Sequence, residues 1–124
     1  MFPNLFKWRE KTVRESRTKG YVVTRMGRRI VVTNSTESNL IVNFPVQGTG
    51  SDGFKFALLM LDAELKDMDA RIVHILHDEI IVEARVDIAD KVGGIVKGCM
   101  EKAFVDMKLG VPMMAEPVVR DVWG

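Results

Sequence analysis

His77, Asp78 and Glu79 stand between two apolar, β-branched runs, Val73–His74–Ile75–Leu76 and Ile80–Ile81–Val82. Such an order reads as strand, tight turn, strand, with two carboxylates at the tip. A carboxylate on a rigid tip suits a divalent cation, because hard cations take oxygen ligands. Asp78, with Glu79 beside it, is therefore a candidate metal-binding pair of the kind that holds Mg²⁺, which usually takes one or two carboxylates plus substrate phosphates. In two-metal phosphoryl chemistry the ions stabilise both the attacking and the leaving oxygen. The three residues alone read more readily as an ordinary Asp-containing turn, and the metal reading draws its strength from the surrounding sequence. His74 and His77 form H-x-x-H, but three apart on strands they face opposite sides, which disfavours joint ligation of zinc. His77 at the tip can hydrogen-bond a nucleic-acid backbone or base, while His74 reads as structural.

Asn43 and Gln47 are four residues apart, on one face if the segment is helical. Their amides can donate and accept, so the pair could read base edges or sugars from the minor groove, or could form a capping network around Pro45. Arg25, Arg28 and Arg29 cluster at a turn. They read either as a phosphate clamp or as a solvated surface. Gly48-x-Gly50 lacks both the P-loop and the dinucleotide-binding fingerprints and is weak as a phosphate loop. Lys55 is a lone helix lysine with no assigned role.

The elements that position these groups follow from periodicity. Residues 2–19 read as a helix, with Pro3 in its first turn, Phe2, Leu5, Phe6 and Val13 at roughly helical spacing, and Gly20 as terminator. Tyr21–Thr24 and Arg29–Val32, separated by Gly27, predict a small hairpin. The run Asn34–Glu37 offers an N-cap for a helix over 36–65, interrupted near Pro45 and Gly48. Beyond that break Phe54, Ala57, Leu58, Leu61 and Leu65 form an apolar stripe. A hairpin over 71–84 precedes an amphipathic helix over 88–109, weakened by Gly93, Gly94 and Gly98 at about 1 kcal/mol each where exposed. Gly110 is expected to end that helix, and Met114–Val119 to add a closing strand, an edge one because of Pro117. The expected class is α+β, an antiparallel hairpin or sheet covered by helices.

At 124 residues and 47% hydrophobic content, residues 1–124 are expected to form a single domain with a packed core. No run approaches the roughly 20 apolar residues that cross a bilayer, and the first residues lack the order of a signal peptide. The single Cys99 makes no internal disulfide, falls on an apolar helix face and fits a cytoplasmic setting. The eight methionines read as core filler. The formal charge of +1 conceals an asymmetry, because residues 1–29 hold nine Lys/Arg against Glu10 and Glu15, a net +7. A basic front end points to phosphate contact or to a solvated helix face.

Taken in order, the motifs resemble the C-terminal palm of family A DNA polymerases, the bacterial DNA polymerase I type, over nearly the whole chain. The resemblance is carried by Phe2–Pro3–Asn4–Leu5 with Trp8, Gly20–Tyr21–Val22–x–Thr24–x–x–Gly27–Arg28–Arg29, Asn43–x–Pro45–Val46–Gln47–Gly48–Thr49–Gly50–x–Asp52, the His77–Asp78–Glu79 turn, Met100–Glu101–x–Ala103, and Val111–Pro112. It implies a partial polymerase palm in which Asp78 resembles the catalytic, Mg²⁺-binding aspartate of motif C and Glu79 the neighbouring carboxylate. His77 would lie near the primer terminus, Asn43 and Gln47 would touch the minor groove of primer–template DNA, and Arg28 and Arg29 would approach the duplex backbone. Asn39 stands where the family commonly places a DNA-contacting arginine, Ile75–Leu76 replace the usual Gln-Val, and Arg120 replaces a glycine before Trp123.

The family's motif A, with its second catalytic aspartate, and motif B, with the residues that hold the dNTP, have no counterpart in these 124 residues. Since two-metal transfer uses both carboxylates, the resemblance implies half a site, inactive without an upstream polymerase segment. The motif C hairpin would then offer an unpaired edge to that segment or to a second copy. The start at Met1 is consistent with a separately translated piece. Two other readings stand beside this one: a non-catalytic DNA-binding remnant of a polymerase, and an unrelated metal-dependent hydrolase, which needs ligands beyond Asp78 and Glu79.

Overall fold

The computed structural model describes residues 1–123 and resolves them into two compact units, 1–52 and the residues from Gly53 onward. Each carries its own two-stranded antiparallel sheet and its own apolar cluster. The architecture is α+β.

In the first unit, α1 (Pro3–Lys19) starts on Pro3 and stops at Gly20, whose φ of 83° lies in the left-handed region open to glycine. The Gly20 amide donates to the Ser16 carbonyl at 2.8 Å, closing the last turn. The chain then forms β1 (Tyr21–Val23) and β2 (Arg29–Val31), paired Tyr21 to Val31 and Val23 to Arg29. Gly27, at φ 86°, allows the reversal between them. Val22, Val32 and Ile41 are buried with Val13, Ile30 and Phe44 against them. Of the apolar residues expected to line one face of α1, only Val13 joins this core; Phe2, Leu5 and Phe6 are exposed.

The expected long helix is present in three pieces. They are α2 (Ser38–Asn43), a π-helical turn (Phe44–Gly48) and α3 (Thr49–Leu65), which runs on into the second unit. Pro45 has no N–H to give, so the regular ladder fails here and widens by one residue. The Thr49 hydroxyl donates to the Pro45 carbonyl, and the Thr49 amide points to the carbonyls of Pro45 and Val46. The entrance to α2 differs from expectation. Glu37 holds the cap position without a side-chain bond, and the Thr36 hydroxyl instead accepts from the Thr33 amide at 2.8 Å. Thr36 is thereby spent on the preceding turn and is unavailable as a helix cap.

In the second unit, β3 (Ala70–Leu76) and β4 (Glu79–Ala84) form the expected hairpin. A register irregularity between Ile72 and His74 admits Val73 as an extra residue. Ala70, Ile72, Ile80, Val82 and Ala84 pack on a cluster built from Leu61, Leu65, Val92 and Cys99. Leu61 is fully buried, a side chain contributing about 1.5–3 kcal/mol through removal from water. Gly53 carries no side chain because Phe104 is there already: a Cβ would stand 2.5 Å from its ring. After a 3₁₀ turn (Val86–Ile88), α4 (Ala89–Asp106) supplies Val92 and Cys99 to the cluster.

Two expectations fail in this unit. Helix α4 ends at Asp106 rather than at Gly110, because Lys108 already turns left-handed at φ 52°. The segment 114–119 is not a strand. Its backbone is held by side chains of α4 instead: the Ala115 amide donates to Glu101 at 3.1 Å and the Ala115 carbonyl accepts from Lys97 at 2.9 Å. Pro117 removes a further donor that a strand would have used. Cys99 is buried, and burial, with Glu64 adding to it, raises its thiol pKa above 9.0, so it behaves as core. No described helix is long and apolar enough to cross a membrane.

Candidate functional site

The candidate residues fall into two groups, one in each unit. His77 and Asp78 form the two-residue connection of the second hairpin, and Glu79, paired with Leu76, opens β4. His77 sits at φ 51°, a conformation uncommon outside glycine but one in which His, Asn and Asp are enriched. All three side chains are exposed. Among the described residues, no hydrogen bond or ion pair occupies the carboxylate of Asp78 or Glu79. By contrast, Glu83 further along β4 receives two bonds from Arg71, at 2.9 and 3.1 Å. His74 has turned from the chemistry altogether and lies 5.2 Å, centroid to centroid, from the Trp123 ring.

The donor set of this turn is two adjacent carboxylates with no competing cation, which is the chemistry a hard divalent ion selects. Among the described residues, no group of three or more His, Cys, Asp or Glu side chains is assembled as a ready metal cage. The turn therefore fits the part of a Mg²⁺ shell that a protein commonly supplies, with the remaining positions left to water, phosphate or other carboxylates.

In the first unit the π turn sets the geometry. Asn43 ends α2 and Gln47 lies within the turn, one wide helical turn further on. Both side chains are exposed, and among the described residues neither amide has a hydrogen-bond partner. The capping network that the sequence left open as their alternative is absent there. The turn is instead secured from behind by other groups. Arg28 donates to Asp52 at 2.8 Å and to the Gly48 carbonyl at 3.3 Å, with its guanidinium 5.2 Å from the Phe44 ring centre. Thr24, itself buried, donates to the second oxygen of Asp52 at 2.6 Å and accepts from the Arg28 amide. The Arg25 amide donates to Thr49 at 2.9 Å. Gly48 permits this approach: a Cβ there would meet the Thr24 methyl at 2.7 Å. Arg29 lies over the Tyr21 ring at 4.3 Å.

The family model for DNA polymerase family A matches residues 1–124. The chain belongs to that family. DNA polymerase I of Thermus thermophilus is 36% identical over 131 aligned residues, covering 98% of this chain and 15% of that protein. DNA polymerase I of Aquifex aeolicus is 36% identical over 121 residues, covering 94% of the chain and 21% of the relative. Among solved structures, the POL domain of Pol1 from M. smegmatis, in complex with DNA primer-template and dNTP, superposes with a TM-score of 0.72 at 26% identity. That likeness covers 78% of this chain and 19% of the other. The chain thus spans only about a fifth or less of the length of these curated relatives.

Within this family A segment, two features escaped the reading of the sequence. Asp52 was visible only as the end of a motif, yet it anchors Thr24 and Arg28. Arg9 was visible only as one charge among nine, yet it donates to Asn39 at 2.5 Å. The contacts join residues 24 or more apart in sequence, and periodicity reports nothing at that range.

Proposed function

We propose that this chain is a C-terminal palm segment, carrying motif C, of a DNA-directed DNA polymerase, and that it takes part in template-directed nucleotidyl transfer. The observation that carries the proposal is the pair of carboxylates at the second hairpin, Asp78 and Glu79, without a partner among the described residues inside a chain that belongs to DNA polymerase family A. A turn that holds a non-glycine residue left-handed and leaves two charges unneutralised gains little stability from those residues, a pattern that recurs at functional sites.

Asp78 is the residue assigned to Mg²⁺, with Glu79 secondary. When bound, the ion would supply charge stabilisation at the transferring phosphoryl group. Asp78 presents its carboxylate at the exposed tip of the hairpin, and His77 offers a ring nitrogen to the primer end. Asn43 and Gln47 present their amides to the minor groove of primer–template DNA. There a side chain that both donates and accepts tolerates any base pair, because the A·T patterns are alike and G·C adds one donor. Arg29, and the exposed part of Arg28, approach the phosphate backbone, while the Asp52, Phe44 and Gly48 contacts fix Arg28 in register. Primer–template DNA and dNTP are the proposed partners, in a cytoplasmic setting.

The site needs a second carboxylate that these 124 residues do not provide. We assign it to another polymerase segment, joined along a free edge of the two-stranded β3–β4 sheet, where Val73, Ile75 and Leu76 are exposed. Pairing of two copies along the same edge is the competing use of that surface, and residues 1–124 would act as one domain of the assembled enzyme.

The test is primer extension with Mg²⁺ and all four dNTPs, with the remaining polymerase segments of the same source supplied. Extension that requires this chain and disappears with Asp78→Asn supports the reading. Association of the pieces with DNA but without extension would replace it by a non-catalytic DNA-binding remnant.

A further inference from the structure

Helix α1 and the start of α2 enclose an open groove of about 590 Å³ that no role proposed above uses. Arg9, Arg14 and Arg17 line it, with Thr18 and Ser38. Glu10 is the single acidic residue on its wall. The three arginines are spaced over eight residues, so they climb about 12 Å along the helix at 1.5 Å per residue.

The manner in which Arg9 and Arg17 are held distinguishes them. Among the described residues, Arg9, Arg14 and Arg17 form no ion pair, whereas Arg71 and Arg85 of the second unit are each bonded to carboxylates. Arg9 is fixed by the Asn39 amide oxygen at 2.5 Å. Arg17 is fixed by the Thr36 carbonyl at 3.3 Å and the Ser38 hydroxyl at 3.4 Å. Neutral acceptors orient a guanidinium without cancelling its charge. The ordering entropy is thus largely spent before a ligand arrives, and the positive potential remains.

We propose that this groove binds the phosphate backbone of a nucleic-acid strand, with Arg9, Arg14 and Arg17 each facing a phosphate and the Ser38 hydroxyl, which accepts from Arg17 and keeps its own proton, available to donate between them. The row of charges, rather than one concentrated point, fits a chain of phosphodiesters better than a single free phosphate. The contact carries no base information, since phosphates position and bases specify. It rests on the nucleic-acid reading above but engages a different set of residues.

The test uses a labelled oligothymidylate without a primer terminus, titrated against the 124-residue chain by fluorescence anisotropy at several salt concentrations. The wild type is expected to bind, and the Arg9→Gln/Arg14→Gln variant to bind more weakly. Its slope of log affinity against log salt should be shallower by about 1.4, from about 0.7 per lost phosphate contact on a single strand. Arg71→Gln, which removes a charge already paired with Glu83 in the second unit, should leave single-strand binding unchanged. Arg14→Gln alone, at an exposed position with similar helix propensity, is the second variant if the double change disturbs folding, and should flatten the slope by about 0.7. A wild type that does not bind the strand overturns the proposal, as does an unaltered slope in both variants. Displacement of the strand by inorganic pyrophosphate at equal phosphate concentration also overturns it. Primer–template binding that depends on Asn43 and Gln47 but ignores the arginines would remove the groove and leave the polymerase reading standing.

Discussion

The two hairpins of this chain turn with opposite economies of polar contact. At the first, between β1 and β2, almost every polar group is used inside the protein. Thr24 bonds Asp52 and the Arg28 amide, Arg28 bonds Asp52 and Gly48, and the Arg25 amide reaches Thr49. At the second, between β3 and β4, His77, Asp78 and Glu79 are exposed, and the two carboxylates stay without partners among the described residues. The first hairpin spends its chemistry on holding a helical turn in place. The second leaves its polar groups facing solvent. Charge follows the same division: the carboxylate near the first turn, Asp52, is paired with Arg28, and those at the second are without an ion pair among the described residues.

Substitution at each turn should therefore separate activity from stability, and the largest effect belongs to the second. Asp78→Asn is expected to reduce primer extension by the assembled enzyme about 10³-fold or more, on the scale of removing a group that stabilises transition-state charge. The unfolding midpoint of the chain should barely move, because a solvated residue away from packing changes stability by no more than about 0.5 kcal/mol. Chemical denaturation alongside extension kinetics checks both. A large stability loss would erase the contrast between the hairpins.

The reciprocal change is Gly48→Ala. Its new methyl would begin 2.7 Å from the buried Thr24 side chain, which is backed by Asp52 and has little room to retreat. Overpacking of this kind costs about 1–3 kcal/mol, read as a lower denaturant midpoint with an unchanged slope. Catalysis per folded molecule should change far less than with Asp78→Asn. Asn43→Ala with Gln47→Ala sharpens the comparison further. Loss of two hydrogen bonds at about 1 kcal/mol each should weaken primer–template binding about tenfold to thirtyfold while leaving the unfolding midpoint in place. Weaker folding instead would place the two amides with the first hairpin's internal network.

The degree to which the sequence disclosed this arrangement varied with the range of the interaction. Helix α1, both hairpins and the break at Pro45 were legible because proline, glycine and period-two alternation act within a few residues. The buried stripe of α3 was legible for the same reason, with Ala57, Leu61 and Leu65 as expected. The break was foreseen as a kink, but its π form was not. That form depends on Thr49 and Arg28 converging on carbonyls of the turn, and Arg28 comes from 20 residues away. The absent strand at 114–119 has a similar cause, since Lys97 and Glu101 capture the backbone of Ala115 from 18 and 14 residues away. For the candidate site, residue types and order pointed to Asp78, Glu79, Asn43 and Gln47 without contacts. Which arginines were already engaged needed the three-dimensional structure.

That captured tail supplies the smallest expected effect, and it tests whether engagement by a neighbour is what separates one carboxylate of the second unit from another. Glu101 accepts from the Ala115 amide and lies 3.1 Å from Lys97. The backbone bond foremost, and then Lys97, holds its carboxyl below its ordinary value of 4.5. A carboxyl with a depressed folded pKa favours the folded arrangement fully above its unfolded value, and the contribution is lost as pH falls through the folded value. The tail contact should therefore persist at neutral pH and loosen as the solution is acidified below about pH 4.5. Hydrogen exchange at the Ala115 amide, corrected for its intrinsic acid dependence, reads this directly. Glu101→Gln keeps an oxygen for that amide but cannot titrate, so its protection should be lower at neutral pH and flat on acidification. Equal acid sensitivity in the two proteins would show that the tail is released by another group, and would leave Glu101 no different in kind from the free carboxylates at the turn.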